Sequence, residues 1–322
     1  MKLTVDDMCL GEGTIIKNTY KIKKVIHRSE LSIVYIGHHI KSKEIQVIKE
    51  YFPKALALRD LDNKSMLCRL PSFKGKYYEL LEIFFNEAVI IRELHHKNIV
   101  GYIDHFEENG TGYIVLKYDK DRTLDTYIRE EKEISMSDLF KNIILPMIRT
   151  LQFIHKQEII HRDIKPGNIL IREDGSPLLL DFGSAIYYKN QSSNRIFTSA
   201  GFSPLEFYSE KAKQGRYSDI YSFAATLYYC FSGRAPLDVS ERLIEDRIEN
   251  IKQHNKKITS LLARMIMWGL SINSRERCPS LKLFKAVLYV EHLRLKIIEI
   301  WIEKREKKKR MVNPTFIEKD MQ

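Results

Sequence analysis

The segment His161-Arg162-Asp163-Ile164-Lys165-Pro166-Gly167-Asn168, followed by Asp181-Phe182-Gly183, gathers two carboxylates, an amide and a lysine in one short stretch. Asn168 and Asp181 offer oxygen ligands to a hard divalent cation such as Mg²⁺. Asp163 suits a carboxylate placed near an incoming hydroxyl, and Lys165, two residues on, can neutralise charge on a phosphoryl group in transit. Phosphoryl transfer from ATP needs this equipment and little covalent help: metal on the phosphates, a cation to orient them, and a carboxylate beside the acceptor.

Such groups need elements to hold them. Residues 20–25, 32–38 and 44–50 are short β-rich segments separated by polar turns. Residues 77–94 show helical spacing through Leu80, Leu81, Phe84, Ala88 and Ile91. Two more strands are expected at 99–106 and 112–118, divided by the turn Glu108-Asn109-Gly110. Beyond Asp119 the pattern turns helical, most clearly at 123–129, 136–156 and 218–232, with strand-like patches at 169–172 and 178–180. A strand-rich first third and a helix-rich remainder predict an α+β chain of two lobes joined by residues 117–122, with the cleft between lobes as the expected ligand site.

The 322 residues are 44% apolar and 30% charged, a globular composition with ample material for a core. The net charge of +11 favours polyanionic partners without choosing among them. Cys9, Cys68, Cys230 and Cys278 are scattered, with no CxxC pair and no metal-ligand spacing, so free thiols in a reducing compartment are expected. Asp6 and Asp7 argue against a secretory leader, and charges at Glu291, His292, Arg294, Lys296 and Glu299 break the most apolar late stretch. The expected location is the cytoplasm, with delivery into a host cell as an effector as the alternative.

The order of these motifs resembles the protein kinase superfamily, whose signature joins HRD-x-K-x-x-N, DFG and a strand lysine. The resemblance covers roughly residues 20–289 and implies a two-lobed kinase fold with ATP and Mg²⁺, or Mn²⁺ in its place. It implies domains at 19–290 (N-lobe 19–116, hinge 117–122, C-lobe 123–290), an N-terminal extension at 1–18 and a basic tail at 291–322. Lys49, at the end of Val47-Ile48-Lys49, matches the lysine that binds the α- and β-phosphates, and Glu87 its ion-pair partner. Asp219 matches the helix aspartate that fixes the catalytic-loop backbone, and Glu206 with Arg277 a buried structural ion pair. The ATP contacts implied are Ile26, His27, Ser29, Ser32, Val34, Val47, Lys49, Leu116, Lys117, Tyr118, Leu170 and Asp181.

The likeness is nearer to bacterial Hanks-type serine/threonine kinases, through Lys49-Glu50-Tyr51-Phe52-Pro53, Leu56-Ala57-Leu58-Arg59, Asn109-Gly110-Thr111 and Ser203-Pro204-Leu205-Glu206-Phe207-Tyr208. That branch also has a long connection from the lysine strand to the glutamate helix, here 51–77, which reads by itself as a surface insertion. Lys165 and Ser199, which resembles the threonine that contacts the catalytic aspartate and lysine, imply serine/threonine acceptors on protein substrates, with autophosphorylation. Arg162 can pair with a phosphate on the activation loop, where Ser192, Ser193 and Thr198 are the candidate phosphosites.

The chain departs from the family where a glycine-rich loop covers the phosphates. His27, Ser29 and Ser32 stand at the three glycine positions, and no glycine occurs from 20 to 36. Glycine there permits positive φ and close approach of backbone N–H groups to phosphate. Two rival readings follow: an ATP-binding pseudokinase scaffold, and a small-molecule phosphotransferase of kinase-like fold. Near the C-terminus, Val290, Leu293, Ile297 and Trp301 share one helical face, widened by Leu295, Ile298 and Ile302, and Lys304-Arg305-Glu306-Lys307-Lys308-Lys309-Arg310 follows. A final helix packed on the helical lobe with a solvated basic end is expected, with an anionic partner (lipid, nucleic acid or acidic protein) or a localisation-type run as the alternatives.

Overall fold

The structure is a computed structural model that describes residues 8–131, 134–189 and 195–312. The chain divides into two compact units, one of residues 1–122 with 178–186, the other of 123–177 with 187–322. The expected α+β division is present: one unit holds a sheet and a single long helix, the other is mainly helical.

In the first unit β1 (Ile15–Ile16), β2 (Tyr20–Arg28), β3 (Ser32–His39), β4 (Ile45–Tyr51), β7 (Tyr102–Glu108) and β8 (Thr111–Lys117) form an antiparallel sheet of order β1-β2-β3-β4-β8-β7. Alternation along β4 sends Gln46, Ile48 and Glu50 to one side and Val47 and Lys49 to the other. Helix α1 (Lys74–Glu93) buries Tyr77, Leu80, Leu81, Phe84, Glu87, Ala88 and Ile91, the spacing of one helical face. It lies close on β8 because Gly112 has no side chain. A Cβ there would stand 2.6 Å from Phe85 Cζ and 2.7 Å from Leu81 Cδ1.

Three sequence expectations change. The connection 51–77 is a built element, not a loose insertion. It contains the hairpin β5 (Ala57–Arg59) and β6 (Met66–Cys68), and the Arg59 side chain is buried against Glu50. The strand expected from residue 99 begins at Tyr102, because Val100 N–H donates to Leu179 O at 3.0 Å and Leu179 N–H to Asn98 O at 2.9 Å. The helix expected over 136–156 is interrupted. A short turn α3 (Met136–Asp138) leads into a π-helical stretch at Leu139–Ile144 before α4 (Leu145–Lys156), where Pro146 has no N–H for a regular ladder.

The second unit also contains α2 (Leu124–Glu130), α5 (Arg216–Ser232), α6 (Val239–Ile244), α7 (Ile251–His254), α8 (Ser260–Gly269) and α9 (Leu281–Val312). Helix α5 is buried nearly all round, and Gly233 ends it at φ 72° with its N–H on Tyr229 O. Helix α9 packs through Leu281, Phe284, Val287, Leu288 and Glu291. This corrects the expected packing of the last helix: Val290, Leu293, Ile297 and Trp301 lie on the other side and are exposed. All four cysteines are free. Among the described residues no helix is long and apolar enough to cross a membrane.

Candidate functional site

Each unit carries its own cluster of the sequence-selected residues. In the first, the Lys49 ammonium donates to Glu87 Oε2 at 2.7 Å and to Asp181 Oδ1 at 3.1 Å. Lys49 comes from β4, between Val34 on β3 and Ile114 on β8, and Glu87 from the buried face of α1. Burial opposes the charge on Lys49, but Asp181 and Glu87 outweigh it and hold the amine above the ordinary lysine range. Burial pushes the Glu87 carboxyl up, with the charge of Lys49 opposing. Asp181 adopts φ 52°, a left-handed conformation that costs a non-glycine residue free energy and turns its carboxylate toward Lys49. The cradle closes on Gly183, where a Cβ would meet Asp181 Oδ1 and Glu87 Oε2 at 3.2 Å each. Phe182 is fully buried, while the Asp181 side chain stays 47% exposed.

The glycine-free loop is a closed turn. Ser29 N–H donates to Ser32 O at 2.8 Å, and Ser29 Oγ accepts from Ser32 N–H at 3.0 Å and Leu31 N–H at 3.3 Å. The tip is tied down by Phe52 N–H on Leu31 O at 2.8 Å and Lys54 N–H on Glu30 O at 3.1 Å. Among the described residues, none from 19 to 42 has positive φ, so the turn needs no glycine to form. The same bonds occupy the N–H groups of Leu31 and Ser32, and the hydroxyls of Ser29 and Ser32 face each other at 3.0 Å. His27 and Ile26 are exposed on β2. Val34 and Val47 are half-buried, Leu116 is buried, Lys117 is exposed and Tyr118 is half-buried.

In the second unit, Lys165 Nζ stands 2.8 Å from Asp163 Oδ2 and 2.8 Å from Ser199 Oγ, and the Ser199 hydroxyl donates to Asp163 Oδ1 at 2.8 Å. Asn168 Nδ2 donates to Asp163 O at 2.9 Å and Oδ2 at 2.7 Å, leaving the amide oxygen as its remaining acceptor. The backbone beneath is anchored by Asp219 at the start of α5. It accepts from His161 N–H at 2.9 Å and Arg162 N–H at 3.0 Å, with His155 Nε2 at 2.8 Å. Burial alone would raise the Asp219 carboxyl, but the hydrogen bonds from His155 and Arg162 outweigh it and hold it below the usual range. Arg162, at φ 69°, is buried, and burial brings its guanidinium down to about 10 despite the charge of Asp219. Arg277 donates to Glu206 at 2.8 and 3.3 Å and to the carbonyls of Tyr217, Ser271 and Ile272. Leu170 is half-buried, Thr198 is exposed, and Ser192 and Ser193 lie outside the described residues.

Each unit, taken by itself, offers an oxygen donor of the kind a hard divalent cation takes. Asp181 offers an exposed carboxylate and Asn168 an amide oxygen, and among the described residues no group of three or more His, Cys, Asp or Glu forms a metal cage. Mg²⁺ characteristically binds through one or two protein oxygens and completes its shell with phosphate and water. Sequence reasoning missed one cluster. Glu50, fully buried, takes Arg59 on both oxygens and the hydroxyls of Tyr35 and Tyr113 at 2.7 and 2.9 Å. Its signal was an acid at a core-facing position of β4, beside Lys49 on the opposite face.

Comparison with known proteins follows the same lines. The model of the protein kinase domain matches residues 20–289. A probable serine/threonine-protein kinase of Clostridium perfringens is 27% identical over 284 residues, 84% of this chain and 38% of that protein. Serine/threonine-protein kinase PknA of Nostoc is 29% identical over 185 residues, 54% of this chain and 32% of that protein. The chain thus spans well under half the length of these relatives. A solved structure of PpkA-294 in its apo form superposes with a TM-score of 0.75 at 27% identity, over 87% of this chain and 99% of that one.

Proposed function

From a chain that belongs to the protein kinase family, we propose an active serine/threonine kinase that transfers the γ-phosphoryl group of ATP to hydroxyls of protein substrates. The observation that carries this reading is the closed Asp163–Lys165–Ser199 arrangement, each side 2.8 Å. Asp163 orients the acceptor hydroxyl and takes up its proton. Lys165 meets the charge that builds on the transferring group, and Ser199 holds both in register. Lys49, kept cationic by Glu87 and Asp181, takes the α- and β-phosphates. Asn168 and Asp181 are the residues that would hold Mg²⁺, or Mn²⁺ in its place, and the metal when bound neutralises phosphate charge.

Incubation of the purified chain with labelled ATP, Mg²⁺ and a generic basic protein tests this directly. Label on serine and threonine of the substrate and of the chain itself is the expected result. Label on tyrosine alone would exclude the acceptor assignment. One observation favours the pseudokinase alternative: the N–H groups of Leu31 and Ser32 are spent on Ser29 and not offered to phosphate. Calorimetric binding of ATP·Mg²⁺ without any incorporation of label would establish that reading instead. The substrates, and a cytoplasmic place of action, belong to the same proposal.

A further inference from the structure

The distal half of α9 carries a run of exposed apolar side chains that the phosphotransfer reading leaves unused. Val290, Leu293, Ile297, Ile300 and Trp301 form one stripe about 16 Å long, taking 1.5 Å per residue. Ile297 is 68% and Trp301 59% exposed. Contacts from more than one side of the helix hold it to its unit as far as Glu299. Glu291 is buried against the Thr259 hydroxyl and the Arg294 guanidinium, Arg149 Nη2 donates to Tyr289 Oη at 2.6 Å, and Ser135 reaches Glu299 at 3.4 Å. The stripe is therefore exposed on a helix held to its unit as far as Glu299.

Charge is sorted around that stripe. At 100° per residue, Lys282, Arg294, Lys304, Arg305 and Lys307 fall on the half of the helix that carries it, Lys296 falls at its edge, and Lys285 falls on the other half. Glu291, Glu299, Glu303 and Glu306 all fall on the other half. Arg305 also lies over the Trp301 ring at 5.3 Å, which places a cation beside the aromatic end of the stripe. An apolar face flanked by lysines, with acids turned away, is complementary to an anionic lipid surface: aliphatic side chains enter the acyl boundary while cations meet the headgroups.

We propose that α9 docks this protein on an anionic membrane surface, lying in the interface without crossing it. No described helix is long and apolar enough to cross. A second copy of the chain fits less well. The seam Val290, Leu293, Ile297, Ile300 continues at the same spacing into Lys304 and Lys307, so a parallel pair would bury lysine against lysine. Nucleic acid would satisfy the lysines and leave the stripe in water.

The test is sedimentation of the full chain with vesicles of neutral phosphatidylcholine, with and without one part in three of phosphatidylglycerol (about that fraction suffices for a negative surface potential). Binding to the anionic vesicles roughly tenfold or more tighter, weakened by salt, is expected. Ile297→Ser with Ile300→Ser, and separately Lys304→Gln with Lys307→Gln, should each reduce it about tenfold. Circular dichroism identifies a variant that fails to fold. Trp301 emission, read as the difference between wild type and Trp301→Phe, should shift to the blue on anionic vesicles, a readout that leaves the stripe's aliphatic residues intact. Unchanged emission, or equal binding to both vesicles, overturns the proposal. So does undiminished binding by the serine pair, or retention on duplex DNA without vesicle binding. A dimer dissolved by Ile297→Ser, again without vesicle binding, assigns the stripe to a second copy.

Discussion

The Arg59 guanidinium lies bidentate on the Glu50 carboxylate, Nη1 to Oε1 at 2.8 Å and Nη2 to Oε2 at 2.7 Å, with both side chains buried. Glu50 is the neighbour of Lys49 on β4, and Arg59 also donates to the carbonyls of Met8 and Lys64. One buried pair thus joins the lysine strand, the hairpin β5–β6 and the segment before β1. The charge of Glu50 and its hydrogen bonds outweigh burial and hold Arg59 above the ordinary guanidinium range. Arg59→Ala leaves an uncompensated buried carboxylate and should cost about 3–5 kcal/mol. Denaturant unfolding measures it, and a loss under about 1 kcal/mol would show that the carboxylate finds another partner.

Substitution of Asp163, Lys49 or Asp181 by alanine should each lower phosphate incorporation at least about a hundredfold, since each removes one charge from a preorganised set. Near-native circular dichroism should accompany the loss. Full incorporation by any one variant removes that residue from the proposed machinery.

The turn at Ser29 supplies a separable prediction. Ser29→Gly removes the acceptor that holds Leu31 N–H and Ser32 N–H and frees the backbone to adopt positive φ. If those N–H groups then reach phosphate, KM for ATP should fall by roughly tenfold, the worth of one charge-assisted hydrogen bond. An unchanged KM would show that the turn does not limit nucleotide binding.

Asp219 makes stability depend on acid. Its folded pKa lies below the unfolded value of about 3.9. Its contribution is therefore fully present above that pH and is lost as pH falls through the folded pKa. Thermal melts of the wild type should drop steeply below about pH 4, and Asp219→Asn, already less stable at neutral pH, should show a shallower acid limb. Parallel limbs in the two proteins would place the acid sensitivity elsewhere.

Phosphosite mapping after autophosphorylation should find serine and threonine between Gly183 and Ser203. Thr198 is exposed there, and Arg162 has no hydrogen-bond partner for its Nε among the described residues. Ser192→Ala, Ser193→Ala and Thr198→Ala, made singly, identify which hydroxyl carries the phosphate, as the one whose loss removes the signal.

Much of the candidate site was legible because its chemistry depends on residues near one another in sequence. Asp163, Lys165 and Asn168 lie within a few residues, on a loop whose spacing alone brings them together. The strands and α1 were legible from period and turn chemistry, which are local. Pairings across long separations were not derivable from pattern: Lys49 with Glu87 and Asp163 with Ser199 could be named only by resemblance to a family. Glu50 with Arg59 was missed, because the 51–77 connection read as an insertion and only burial shows it to be a packed hairpin. The serine turn shows the same limit in the opposite direction: composition revealed that glycine was missing, but only the hydrogen bonds show that Ser29 takes up the amides glycine would have left open. For α9 the sequence alone determined an apolar stripe and a basic run. Which side of the helix faces the protein was decided by Phe284, Leu288 and Glu291, whose burial turns Ile297 and Trp301 outward. A helical face has no inside until something packs against it, and that packing is a property of the tertiary structure alone.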